Sequence, residues 1–198
     1  MGWWMTKQKR AGYHHGELST ALISAAIRML DEDGDVELSL RAVARSAGVS
    51  NAAPYRHFPD RMSLLSAIAA VGYRELMTHL LITQPQPESM TELADVAVAY
   101  VDFALSRTGL FRVMFTEGCD RTSAARVASV AAIHGYLDAA VGRIFVTDNA
   151  AAIATGLWAL VHGLAFLHID GKLGTDTPDV VEATVRETVT AILAAHAR

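Results

Sequence analysis

The sequence predicts an all-α protein of about nine helices, and three observations predict it. Apolar residues recur at the three- and four-residue spacing of a helix face. Strict alternation of the kind a half-buried strand needs is nearly absent. Alanine, the strongest helix former, dominates a chain of 198 residues that is 52% apolar, ample material for a packed core.

The elements follow in order. Leu18, Leu22, Ala25, Ala26 and Met29 fall on one face of a helix over about 16–32, with Gly34 as its stop. The acidic run "DEDGD" at 31–35 is a solvated helix end. As a calcium loop its glycine is misplaced, and Ala42 stands where the closing Glu belongs. Ser39 caps a second helix whose Leu40, Val43, Ala44 and Ala47 share a face. Gly48 makes a turn, Val49 plugs the core, and Ser50 caps a short third helix over about 51–57. Pro54 lies at its fourth position, where it forfeits at most the first intrahelical bond. Pro59 ends it, and Asp60 caps a long helix to about Leu81.

"TQPQPES" at 83–89 reads as a linker. Ser89 and Glu92 make a capping box for a helix to about Arg107. "GLFRVMFTEG" is a short apolar helix, and 122–145 form another. Thr147 or Asp148 caps the apolar stretch Ala150 to Ile169. After the loop "GKLGTDTPD", Thr177 caps a last helix with Pro178 at its first position. Val181, Val185, Val189, Ile192 and Leu193 share one of its faces.

Composition narrows the function. The net charge of −4 argues against nucleic acid, yet residues 1–75 carry +1 and residues 76–198 carry −5, which leaves the less acidic half at the N-terminus. The lone Cys119 forms no intrachain disulfide and fits a reducing, cytoplasmic setting. The first twelve residues read as a flexible leader without the apolar core of a signal peptide. Ala150–Ile169 holds no Asp, Glu, Lys or Arg and is long enough to cross a bilayer. Its two histidines, its glycines and its weakly hydrophobic alanines favour a helix buried in protein, so no membrane partner is expected. No phosphate loop, nucleophile elbow or HExxH occurs. His162 and His168 are six apart and do not share a helix face, so no catalytic residue, cofactor or metal site is expected.

Residues 39–58 read as helix, tight glycine turn, short helix. Such a unit lays its second helix in the major groove with its first residues on base edges. "SNAAP" supplies a small polar face for that purpose, and Tyr55, Arg56, His57 and Arg61 are placed to hold phosphates. Two helices joined at a glycine turn also occur in all-α proteins with no DNA role. In that reading Arg56 and Arg61 are ordinary solvated charges and Tyr55 is half-buried core.

The segment from about Tyr13 to Glu75 closely resembles the N-terminal domain of TetR-family transcriptional regulators. "SLRAVARSAGVS" at 39–50 and "YRHFPDRMSLL" at 55–65 carry the resemblance. Arg61 stands where the family usually has lysine, and Pro54 where an aliphatic residue is commoner. The resemblance implies that Ser39, Leu40, Arg41, Ser50, Asn51, Ala52, Ala53, Tyr55, Arg56, His57 and Arg61 face double-stranded DNA, with Ala47, Val49 and Phe58 in the core. It divides the chain into a DNA-binding domain over 13–75 and a ligand-binding and dimerisation domain over 76–198.

"LWALVHGLAFL" at 157–167 resembles a Trp–His–Gly signature found in one branch of TetR-type ligand domains. Trp158 and His162 are i, i+4 and share a face, as ligand contacts or as core and interface residues. Tyr100, Phe103, Phe111, Met114 and Phe115, with His134 and Tyr136, form either an apolar cavity or simply this domain's core. The expected function is a homodimeric regulator, a repressor by expectation, that leaves a near-palindromic operator when a small, mostly apolar inducer binds. The rival is an all-helical enzyme or small-molecule carrier with no DNA role.

Overall fold

The computed structural model describes residues 15–34, 37–115, 119–120, 122–174 and 177–196. The leader over 1–12 lies outside them. All regular structure among the described residues is helical: α1 (His15–Glu32), α2 (Leu40–Ser46), α3 (Arg61–Thr83), α4 (Met90–Ser106), α5 (Thr108–Phe115), α6 (Ala124–Ile144), α7 (Ala150–Ile169) and α8 (Pro178–His196), with one short 3₁₀ turn at Pro54–Arg56.

Local chemistry sets most of the boundaries. The Ser39 hydroxyl accepts the Ala42 N–H at 3.2 Å, and the Asp60 carboxylate accepts the Ser63 N–H at 2.8 Å. Ser89 and Glu92 close a full capping box on α4. At α7 the expected cap is corrected. Asn149 flanks the helix without a side-chain bond, and the Thr147 hydroxyl accepts the Asn149 N–H outside the helix.

The third helix is also corrected. In place of an α-helix over 51–57 there is a chain of tight turns around Pro54–Arg56. Proline has no N–H to donate to the Ser50 carbonyl, so the Ala53 N–H takes that carbonyl in a three-residue turn at 2.9 Å.

α1, α2 and the start of α3 enclose an N-terminal core with Leu22, Leu38, Val43, Phe58, Leu64 and Leu65 buried. α3 then continues across the expected division at 75/76 and packs on α4, α5 and α6. α4 lies against both α7 and α8. α5 returns to touch α1. A Cβ at Gly109 would stand 2.7 Å from the Leu30 carbonyl oxygen, so this contact requires glycine.

α7 is long and apolar enough to span a membrane, yet Ala154, Leu157, Val161, Leu164, Ala165 and His168 are buried along one side against protein. Its opposite side, with Ala152, Gly156 and Ala159, is exposed. On α8, Val185, Val189 and Leu193 are buried as expected, whereas Ile192 is 38% exposed and faces a groove shared with α7.

Candidate DNA interface and ligand cavity

α2 ends where Gly48 turns with φ +68°, a conformation glycine adopts without strain. The Gly48 N–H bonds the Arg45 carbonyl at 3.1 Å and the Val49 N–H bonds the Ala44 carbonyl at 3.0 Å, the paired closure of a Schellman motif. Val49 is thereby turned inward against the core. The next residues are thrust outward. Ser50, Asn51, Ala52, Tyr55 and Arg56 are exposed, as are Ser39 and Arg41 on the approach from α2. Ala53 and His57 are half-buried. Pro54 and Phe58 are buried beneath this tip and fix it to the domain.

Two of the expected DNA contacts change meaning. Leu40 is only 6% exposed; its side chain belongs to the core, because the capped first turn of α2 faces α1. The Nε of Arg61 donates to the Leu38 carbonyl at 2.8 Å. Arg61 therefore ties the start of α3 to the chain entering α2.

In the C-terminal half, α3, α5, α6 and α7 surround a cavity of about 190 Å³. Tyr100, Met114, Phe115, His134 and Trp158 line it as expected, joined by Tyr73, Leu76, Arg126, Val130 and Ile133. A second, smaller space of about 50 Å³ lies beyond Tyr100, Ile133 and Trp158, which line both. Tyr136 lines this inner space, and its hydroxyl donates to the Gln84 carbonyl at 2.6 Å.

Three expected ligand contacts lie elsewhere. Phe103 sits in a groove on the outer side of α3, its ring 6.2 Å from His79. The three-residue step from Tyr100 rotates it about 60° around α4 toward α3. Phe111 is fully buried behind the wall, edge-on to Tyr100 at 5.6 Å and tilted against Phe115 at 4.7 Å between ring centroids. His162 lines neither space. It is enclosed by the rings of Tyr100, Phe111, Phe115, Trp158 and Phe166. Its Nδ1 is hydrogen-bonded to the Tyr100 hydroxyl at 3.0 Å.

Burial sets the charge states. Desolvation lowers the pKa of His162, which favours the neutral ring. Desolvation also pushes the Tyr100 phenol well above its ordinary value, which the neighbouring Trp158 indole opposes only in part. Tyr73, whose hydroxyl donates to the Met114 carbonyl, is pushed up to about 12 by desolvation. The Tyr100–His162 pair is thus a neutral hydrogen bond that holds the cavity wall.

Arg126 is the residue that periodicity reasoning passed over. Its signal was present: Arg126, Val130, Ile133 and His134 recur at i, i+4, i+7 and i+8 on one face of α6. Arg112, the cation closest in sequence to the aromatic cluster, is instead paired with Asp170 at 2.7 Å.

Residues 22–68 match the model for bacterial regulatory proteins of the tetR family, and residues 93–192, half of the chain, match the tetracyclin repressor-like C-terminal domain. The chain belongs to the TetR family. This family and fold are those of DNA-binding transcriptional regulators rather than enzymes. The HTH-type transcriptional regulator BetI of Brucella anthropi is 26% identical over 168 residues, 82% of this chain and 85% of that protein. A Rhodococcus sp. RHA1 protein of unknown function is 32% identical with a TM-score of 0.74, over 91% of this chain and 97% of that one. A TetR transcriptional regulator from the same organism shares the fold at a TM-score of 0.64 and 22% identity, over 91% and 97% of the two chains.

Proposed function

We propose that this TetR-family regulator is a cytoplasmic, homodimeric repressor that leaves a near-palindromic operator when a small, mostly apolar ligand enters the α3–α7 cavity. The observation that carries this reading is α3 itself. One end of α3 begins at Asp60 and Arg61, directly after the exposed tip. Tyr73, Leu76 and Leu80, farther along the same helix, line the two internal spaces. A ligand that fits only one placement of α3 shifts the spacing of two recognition tips by its differential affinity for the two arrangements.

A functional division at 13–75 and 76–198, with α3 crossing it, fits this reading. Dimerisation is supported by the exposed side of α7, where Ala152, Ile153, Gly156 and Leu160 form an apolar groove with Ile192 of α8. Two copies joined there by two-fold symmetry present two tips to one duplex. The test is recovery of bound duplexes from random DNA fragments. The proposal expects near-palindromic sites whose affinity falls steeply with salt, since each neutralised phosphate releases counterions. Recovery of no preferred sequence would contradict it.

A further inference from the structure

Among the described residues, the lining of the cavity between α3, α4, α5, α6 and α7 holds one arginine, Arg126, and no carboxylate. Arg126 projects from the first turn of α6 into the lining. Its Nε is buried with no hydrogen-bond partner, and the ion pairs among the described residues do not include it. Its contact is the face of Tyr73, 5.9 Å from Cζ to the ring centroid. The two tyrosine hydroxyls of the wall are engaged. The Tyr73 hydroxyl is bonded to the Met114 carbonyl and the Tyr100 hydroxyl to His162, while His134 stacks on Trp158 at 5.1 Å with its side chain exposed.

A buried guanidinium Nε without a hydrogen-bond partner is costly, and a carboxylate is the group that matches the planar fork it belongs to. The remaining lining is aromatic and aliphatic, and the inner space beyond Tyr100 and Trp158 is bordered by Leu80, Val96, Leu157 and Val189. We infer that the effector is a small organic monocarboxylate whose carboxylate is held by Arg126 and whose apolar body packs on Phe115 and Trp158 and extends toward the inner space. This rests on the regulator reading above and specifies the chemistry of its ligand. A single cation selects a single negative charge. The free volume of about 190 Å³ lies below the roughly 300–1,000 Å³ of drug-sized sites, which favours a compact ligand.

The test uses the full-length protein and matched probes: 4-butylbenzoate and octanoate, their neutral amides, and octylammonium. Calorimetry measures binding to the wild type, Arg126→Gln and Arg126→Lys, and each preparation is also titrated onto its operator duplex. The inference expects the carboxylates to bind about tenfold or more tightly than their amides, as a charge-assisted bond allows. It expects Arg126→Gln to erase that preference while still binding DNA, and Arg126→Lys to restore part of it. Amides binding as well as carboxylates, or Arg126→Gln retaining the preference, would overturn the carboxylate assignment. If the amides then also release DNA, the regulator reading survives. Binding of none of the probes overturns the assignment too, and the operator titration reports separately on the regulator.

Discussion

The Nε of Arg107 meets the Asp31 carboxylate at 3.0 Å, and its Nη1 meets Glu75 at 3.0 Å. One side chain at the α4–α5 corner thus holds the last turn of α1 and the middle of α3 together. Gly109, two residues on, makes the close backbone approach to Leu30. The ion pairs are partly exposed and screened, so Arg107→Ala should cost about 1 kcal/mol or less. Gly109→Ala drives a methyl into the Leu30 carbonyl and should cost about 1–3 kcal/mol. Urea unfolding midpoints measure both. A Gly109→Ala protein as stable as wild type would show that the α1–α5 junction is slack.

Tyr55 and Arg61 should separate in mutagenesis. Tyr55 is 51% exposed and packs little, so Tyr55→Ala should leave stability unchanged within about 0.5 kcal/mol. It should weaken DNA binding across sequences and leave the salt slope unchanged, because a neutral phenol displaces no counterion. Arg61→Ala should weaken DNA binding and also lower stability by about 1–3 kcal/mol, because the Leu38 carbonyl loses its donor. Asn51 and Ala52 are exposed at the tip, and changes there should alter the preferred base sequence. The readouts are anisotropy against salt and denaturation of the same preparations.

His162 should make stability depend on pH. Its pKa is lowered in the folded state by desolvation, so the unfolded chain binds a proton that the folded chain resists. Its contribution is complete above the ordinary value of 6.5 and is lost as pH falls from there through the lowered folded value. Wild type should therefore lose more stability than His162→Asn between pH 7.5 and 5.5. Equal slopes would contradict a neutral, half-buried ring packed among five aromatics.

The exposed face of α7 should hold the dimer. Ala152→Glu places a charge in the α7–α8 groove without touching the buried side of either helix. It should convert a micromolar dimer to monomer in sedimentation and abolish tight operator binding, since one tip gives little specificity. A dimer unchanged by Ala152→Glu would move the interface elsewhere.

What the sequence made legible was whatever local chemistry decides. Ser39, Asp60, Ser89 and Glu92 cap through bonds within three residues of themselves, so their helices could be read directly. Gly48 and Val49 signalled the turn because the Schellman closure needs glycine followed by an apolar residue. The turn at Pro54 was misread because the one bond it forfeits, to the Ser50 carbonyl, is the bond that would have started the α-helix, and Ala53 takes that carbonyl instead. Leu40, Phe103, Phe111 and His162 went astray for another reason. Residue type identifies an apolar or aromatic side chain, but only the packing of neighbouring helices, α1 on α2 for Leu40 and α3, α5 and α7 around α4 for the rest, decides whether it faces core, groove or cavity. Arg126 was missed because an arginine at the start of an apolar helix reads as solvated until the neighbouring helices are in place.

The most direct test of the account is operator affinity measured against salt and ligand in one experiment. A duplex recovered from random fragments is titrated with wild-type protein between 50 and 200 mM salt, with and without 4-butylbenzoate. The account predicts a dimer per duplex, a log–log salt slope of about 0.9 for each phosphate contacted, and weaker binding when the carboxylate is present. DNA affinity independent of salt, or unmoved by a carboxylate that calorimetry shows to be bound, would contradict the claim that α3 joins a DNA-reading tip to a ligand cavity.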